Sequence, residues 1–308
     1  MAKFEFGFEE VWFRLIIKNL AAHPDLFMPS SVEKAQRILR MGKLKVGAAR
    51  AWGEAAGLIT KKKGQFLLTT LGQLIAHHDP DMDDDGIWWA LHYNLARQGS
   101  PAWFYAFYCN EFSEVVFDRS SLEKELRSAW DREHENQMTD SVFDKLVFSP
   151  LKQVFEGTRI GKDFGLFDLR ADGLIYQEPP GSKQVPAAIF GFALLDWAKK
   201  EKRQSVYLEK LLRPWGVGRI FRLDRGSLDR ILVEIGEAYS KKVGWISHTA
   251  GLNSVSLMDV RPLALISAHY HQLDGIEPQA ALQKGLSEIR ELEKSAKQMS
   301  LFQGGIRE

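Results

Sequence analysis

The chain has 308 residues, 45% of them apolar and 26% charged, with 41 basic and 40 acidic side chains. That composition supports a packed core in about two domains and excludes wholesale disorder. A single cysteine, Cys109, excludes an internal disulfide and a multi-thiolate zinc site.

No apolar run approaches the ~18 residues of a membrane span, and the first residues lack the unbroken apolar stretch of a signal peptide, so a cytoplasmic protein is expected. The net charge of +1 conceals an uneven distribution. Residues 1–76 carry 12 Lys/Arg against 6 Asp/Glu, residues 77–145 carry 6 against 15, and residues 146–308 carry 23 against 19. A basic segment points to an anionic partner, often nucleic acid, or to docking on the acidic segment of its own chain. The expected divisions are 1–76, 77–145, 146–258 and a terminal helix and tail over 259–308.

Ser31 can cap a helix over 32–39, with Val32, Ala35 and Leu39 on one face, and Gly42 ends it. Val46 to Trp52 reads as a second helix ending near Gly57. Two short helices joined by a glycine-containing turn are the parts of a helix-turn-helix. Leu58 to Thr60 and Phe66 to Thr69 are strand-like and flank a basic hairpin tip, Lys61-Lys62-Lys63-Gly64-Gln65; Thr70 to Ile75 starts another helix. This order is that of a winged helix.

A base-reading helix offers Arg, Asn, Gln or Lys to base edges. A wheel anchored on Val46, Ala49, Gly53 and Ala56 instead turns Gly47, Ala48, Ala51, Glu54 and Ala55 outward. Lys43, Lys45 and Arg50 stand at its start and margin. The expected DNA role is therefore phosphate contact, with Lys61, Lys62 and Lys63 gripping the backbone. The alternative is a winged helix whose second helix is buried against the next domain.

His77 to Gly86 holds two histidines and five aspartates but lacks the glutamate that closes a calcium loop, so a solvated acidic interdomain loop is expected. Residues 87–145 read as an acidic, aromatic-rich helical domain. Ile87, Trp88, Leu91 and Leu95 recur at helical spacing, Trp103 to Tyr108 is a dense aromatic cluster, and Ser120 with Glu123 forms a capping-box pair. Aromatic stripes at that spacing are core, and acidic neighbours argue against a base-stacking surface.

Further on, Phe143 to Phe155 is helix-like, and Asp172 to Tyr176 leads into a loop at Pro179-Pro180-Gly181-Ser182-Lys183. Pro186 opens a helix through Trp197, and Ser227 caps another with Leu228, Ile231, Leu232 and Ile235 as its apolar face. Two strand-like runs around His248 to Asn253 complete a second winged-helix-like module. Its exposed Asp229, Arg230, Glu234 and Glu237 suit DNA poorly and suit a structural or protein-binding role. The expected fold class is mainly α with small β-hairpin wings: an amino-terminal winged helix-turn-helix, a helical middle domain and this second module.

In order, these pieces resemble an uncharacterised bacterial family, DUF4007, over roughly residues 5–258. The matching stretches include Ile38-Leu39-Arg40-Met41-Gly42, Ala49-Arg50-Ala51-Trp52, Leu68-Thr69-Thr70-Leu71-Gly72, Trp88-Trp89-Ala90-Leu91-His92-Tyr93, Asn110-Glu111-Phe112, Phe190-Gly191-Phe192-Ala193-Leu194-Leu195-Asp196 and Gly218-Arg219-Ile220-Phe221. Where that family often has Gly-Val-Gly-Lys, this chain has Gly42-Lys43-Leu44-Lys45, which moves the charge. The resemblance implies a part in DNA phosphorothioate modification or the associated phage defence, beside enzymes of the phosphoadenosine-phosphosulfate-reductase type. It supplies no catalytic residue.

Enzyme motifs are fragmentary. Gly157 to Asp163 falls one spacer short of a phosphate-binding loop, and Gly216-Val217-Gly218 is part of a dinucleotide fingerprint only. Cys109 lies among aromatics, unsuited to a thiolate nucleophile, and His269-Tyr270-His271 reads as a surface turn rather than a metal site. No catalytic residue, cofactor or metal is expected. Pro278 opens a terminal helix whose Leu282, Gly285, Ile289, Leu292, Ala296 and Met299 follow heptad-like spacing, for packing on its own domain or for a homodimeric coil. Gln298-Met299-Ser300-Leu301-Phe302 resembles the short peptide by which bacterial proteins dock on the replication sliding clamp. Gln298, Met299, Leu301 and Phe302 are its contact residues; a helix end folded back is the alternative. Two functions stand: a non-enzymatic DNA-binding targeting subunit or regulator in a phosphorothioate system, or a protein-protein adaptor whose winged helices do not touch DNA.

Overall fold

The structure, a computed structural model, describes residues 4–133, 138–177, 185–249 and 252–302, with 133, 247–249, 252 and 297–302 described by their backbone. The helices and strands run α1 (Glu10–Asn19), α2 (Val32–Leu39), α3 (Lys43–Ala55), β1 (Ile59–Lys62), β2 (Gln65–Leu68), α4 (Thr70–His78), α5 (Asp85–Ala96), α6 (Trp103–Asn110), β3 (Val116–Phe117), α7 (Arg119–Glu133) and α8 (Asp140–Phe143). A π-turn over Asp144–Phe148 joins α8 to α9 (Ser149–Gly157), followed by α10 (Arg159–Lys162), β4 (Asp168–Leu169), β5 (Ile175–Tyr176), α11 (Ala187–Lys200), β6 (Ser205–Tyr207), α12 (Leu208–Leu212) and α13 (Val217–Ile220). The last are α14 (Arg225–Ala238), β7 (Gly244–Thr249), β8 (Leu252–Leu257), α15 (Leu263–Leu273) and α16 (Pro278–Phe302). The protein is thus mainly helical with small antiparallel sheets, of order β1-β2, β3-β5-β4 and β6-β8-β7. The chain divides into two compact units, residues 1–185 with 209–228 and residues 186–208 with 229–308.

The first unit is organised by aromatic side chains. From Gly86 to Ala96, α5 is buried on every side, as expected of a helix apolar all round. Trp88 and Trp89 are fully buried, and each contributes about 4 kcal/mol of transfer free energy. Trp89 stacks on Phe164 at 3.9 Å, and Phe13 on Trp88 at 6.0 Å. Trp52, from α3, meets Phe4, Phe8 and Phe104 edge-on. The aromatic stripes are core.

Two buried polar side chains of this unit, His92 and Asn110, find partners on every side. His92 sits between the Tyr105 hydroxyl, 2.7 Å from Nδ1, and the Ile220 carbonyl, 2.9 Å from Nε2. A carbonyl only accepts, so Nε2 carries the proton and Nδ1 accepts from Tyr105. Asn110 donates to the carbonyls of Ala96 (2.7 Å) and Ala106 (2.8 Å) and accepts from the Trp215 amide (2.9 Å).

Helix ends differ from the sequence expectation. The Ser31 hydroxyl donates to Asp25 Oδ2 at 2.8 Å and does not cap α2. Arg40, at φ 53°, rather than Gly42, turns the chain out of α2, and Gly42 becomes the residue before α3. Asp118 and Asp224, not Ser120 and Ser227, cap α7 and α14, accepting from the amides of Ser121 (2.8 Å) and Ser227 (2.6 Å). A carboxylate is the stronger acceptor at a helix start, since it also meets the positive end of the helix dipole.

In the second unit β6 joins the hairpin as a third strand that the sequence pattern does not reveal. Gly191 of α11 lies where an added Cβ would be 3.1 Å from the Leu265 side chain. Gly285 packs α16 on α15; a Cβ there would stand 2.3 Å from the Ala264 carbonyl. Leu282 and Ile289 are buried as well. His269 to His271 lie within α15, not in a surface turn, and His269 is buried. The loop at 179–183 falls outside the described residues.

Candidate nucleic-acid interface

The elements α2, α3, β1, β2 and α4 follow one another as the sequence suggests, and they carry most of the basic residues of the amino-terminal segment. The hairpin turn is two residues long. Lys63 (φ 49°) and Gly64 (φ 82°) both hold left-handed backbone, the form whose twist matches that of the paired strands. Lys61, Lys62 and Lys63 are all exposed.

Lys61 lies against the ring of its cross-strand partner, Phe66. Its Nζ lies 5.9 Å from the Phe66 ring centre, and the Arg50 guanidinium lies 5.7 Å from the same ring. Phe66 is itself buried and meets Phe27 edge-on. One ring therefore holds a cation from α3 and a cation from the hairpin on a common surface. Glu54 sits beside them, 3.9 Å from Arg50 Nε; burial raises its carboxyl pKa while Arg50 and Lys61 pull it back.

The start of α3 is positive in a second way. Its first turn carries Lys43 and Lys45 and no acidic residue, at the helix end where the backbone dipole is already positive. Leu44 between them is 61% exposed. Arg37 and Arg40 of the preceding turn are also exposed; neither was among the residues the sequence singled out. Their spacing of three residues was the available signal.

The rest of α3 departs from expectation. Ala48, Ala51 and Ala55, expected to face outward, are at most 2% exposed. The alanines are small because α1, α2 and β1 pack closely on α3, so only Lys43, Leu44, Lys45, Gly47, Arg50 and Glu54 keep surface. Val46 and Ala49 do face inward, but the apolar arc is wider than one face.

Part of the basic charge is met within the first unit. Arg14 lies 3.9 Å from Asp83, and Lys18 pairs with Asp81. Lys34 meets Asp25 at 2.8 Å and Lys45 meets Glu9 at 2.7 Å. Lys45 also borders a recess of about 450 Å³ shared with Glu9, Gln153 and Glu156. The acidic stretch closes as a folded turn whose Asp81 and Asp83 stay exposed to solvent. Asp79 accepts from the amides of Asp83 (2.9 Å) and Asp84 (3.1 Å), and Arg159 reaches Asp85 at 3.0 Å and Glu10 at 3.2 Å. The docking of basic residues on the chain's own acidic segment is seen for α1, which meets the acidic turn, while Lys43 and the hairpin lysines stay at the surface.

Burial raises the Cys109 thiol to about 12 and lowers the His92 imidazole to about 4. Gln298, Met299, Leu301 and Phe302 close α16, and their side chains lie outside those described. Among the described residues, no helix is long and apolar enough to cross a membrane.

The sequence matches the family described as "Protein of unknown function (DUF4007)" over residues 5–152 and 162–270. No curated protein matches it. Two solved structures share the fold. One, described as "SspB crystal structure", is 18% identical with a TM-score of 0.73. The other, "Magnesium ion-bound SspB crystal structure", is 17% identical with a TM-score of 0.72. Each match covers 92% of this chain and 95% of the other.

Proposed function

Since the chain belongs to the DUF4007 family, we propose that it is a DNA-binding, non-enzymatic targeting subunit or regulator of a cytoplasmic DNA phosphorothioate modification or phage-defence system. The observation that carries DNA binding is the exposed Lys61-Lys62-Lys63 hairpin, held beside Arg50 through the Phe66 ring. The link to backbone sulfur rests on the family resemblance. The likeness in fold to structures named SspB, a name associated with phosphorothioation, supports it.

In this reading residues 1–76 act as a winged helix that grips phosphates rather than reading bases. Lys61, Lys62 and Lys63 contact one stretch of backbone, and Lys43, Lys45 and Arg50 contact another. With the alanines buried and the surface cations of α3, Lys43, Lys45 and Arg50, given to phosphates, sequence discrimination comes from elsewhere. Residues 77–145 form the aromatic core around which this segment is built, 146–258 includes a second winged-helix-like module for protein contact, and 259–308 ends in the docking tail. The partners are DNA, a sulfur-transfer enzyme of the phosphoadenosine-phosphosulfate-reductase type, and the sliding clamp through Gln298, Met299, Leu301 and Phe302.

The test is fluorescence anisotropy on one labelled duplex, with and without backbone sulfur, at several salt concentrations and with and without magnesium. Binding should weaken steeply with salt. Replacing Lys61, Lys62 and Lys63 by alanine should lower the slope of log affinity against log salt by about 2–3, near 0.9 for each phosphate no longer neutralised. An unchanged slope in a folded variant refutes the hairpin's role. A second reading is favoured by the burial of Ala48, Ala51 and Ala55: a protein adaptor whose winged helices never touch DNA. Salt-insensitive or absent DNA binding by the intact chain selects it.

A further inference from the structure

The second unit carries a basic groove that the hairpin reading does not use. Helix α11 ends in the run Lys199-Lys200-Glu201-Lys202-Arg203, and three of these cations, Lys199, Lys202 and Arg203, line a groove of about 490 Å³. Its remaining wall is Leu195, Ala198, Gln204 and the segment Leu257-Met258-Asp259-Val260 at the end of β8. The lining thus has three cations against one carboxylate, over an aliphatic floor. Lys200 is engaged elsewhere, with Asp196 at 2.6 Å, and at the groove Arg203 Nε lies 3.9 Å from Glu201.

The backbone is built to present the middle cation. The Arg203 amide donates to the Ala198 carbonyl (2.9 Å) and the Lys202 amide to the Lys199 carbonyl (3.2 Å), which closes α11 in a Schellman turn. That turn places its left-handed residue at Lys202, φ 53°, where glycine is the residue without steric cost. A lysine held there keeps a charge at the groove at the expense of backbone comfort, and Lys63 at the hairpin tip does the same.

We propose that this groove is a second nucleic-acid contact, which takes one strand's sugar-phosphate backbone. The inference rests on the DNA-binding reading and extends it to the second unit, whose α14 face is too acidic for that role. Charge complementarity assigns the occupant: phosphates lie against Lys199, Lys202 and Arg203, and the apolar faces of the deoxyriboses lie against Met258, which stands over the buried Leu195 and Leu257. Met258, 45% exposed, is the adaptable part of the floor. Among the described residues no aromatic ring lines the groove, so they stack no base there, and their contacts are independent of sequence.

The experiment compares the full chain with Lys202→Gly and with the triple variant Lys199→Ala, Lys202→Gly, Arg203→Ala on the same unmodified duplex across a salt series. Glycine relieves the left-handed position, so Lys202→Gly should not lower the thermal midpoint, which separates weakened binding from impaired folding. The salt slope should fall by about 1 for Lys202→Gly and by about 2–3 for the triple variant, equally on duplexes of different sequence. An unchanged slope in these variants, with intact protein that binds and a hairpin variant of reduced slope, overturns the groove and leaves the hairpin. Absence of DNA binding by the intact chain overturns both. An unchanged DNA slope with abolished binding of poly-L-glutamate assigns the groove to an acidic polypeptide instead.

Discussion

His92 makes a quantitative link between burial and pH. It lies at the centre of α5, fully buried, and burial lowers its pKa from 6.5 to about 4; the Ile220 carbonyl opposes that shift and the nearby Arg222 charge adds to it. Because the folded value is the lower one, the unfolded chain holds the proton more readily between about pH 4 and 6.5. The stability that depends on neutral His92 is therefore complete above 6.5 and is lost as pH falls toward 4. The slope is about 1.4 kcal/mol per pH unit, so the full window is worth roughly 3 kcal/mol.

His92→Gln tests this, because an amide can still donate toward Ile220 and accept from Tyr105 but does not titrate. Urea unfolding followed by tryptophan fluorescence, from pH 7.5 to 4.5, gives the two stability profiles. The variant should be less stable than the parent near neutrality, by about 1–2 kcal/mol for imperfect packing. Its deficit should shrink as pH falls, since the parent alone loses the imidazole contribution. Carboxylates common to both proteins cancel in the difference. A deficit that stays constant across the range refutes the neutral, buried assignment.

Gly161→Ala should destabilise by about 3 kcal/mol or more in the same unfolding assay, since its Cβ would fall 1.8 Å from the Phe155 carbonyl oxygen; a change under 1 kcal/mol contradicts that packing. Cys109, with its thiol raised to about 12 by burial, should resist iodoacetamide at pH 8 in native protein and react in urea; rapid native alkylation, read by mass spectrometry, counts against burial. Glu9→Gln should release Lys45 from its 2.7 Å ion pair and strengthen duplex binding about two- to five-fold, with stability changed by less than about 1 kcal/mol; weaker binding removes Lys45 from the interface. Deleting residues 298–302 should abolish co-elution with purified sliding clamp, and retained co-elution dismisses the tail motif.

Periodicity carried the helices because apolar side chains must face a core wherever that core lies. Val46, Ala49 and Gly53, or Leu228, Ile231 and Ile235, could be assigned inward before any partner was known. The hairpin was equally plain, since three lysines and a glycine between apolar runs have one economical conformation. Caps were less legible. Ser31, Ser120 and Ser227 are good capping residues, yet a nearby aspartate engages each of them or its amide, and a sequence window does not rank two neighbouring acceptors.

Local sequence thus determined the mainly helical class, the basic hairpin, the aromatic core and the positions of most helices, all properties set by side chains within one or two turns of each other. Tertiary structure decided the rest. It buried Ala48, Ala51 and Ala55 by bringing α1, α2 and β1 against α3, and it added β6 to the hairpin from some forty residues upstream. It folded the Asp79–Asp85 turn onto Arg14, Lys18 and Arg159, so that cations of similar local sequence ended in different states. Lys18 is tied to an aspartate while Lys62 stays exposed. Charge acts through space and not along the chain, so which cations remain to meet a partner is settled only when the chain is folded.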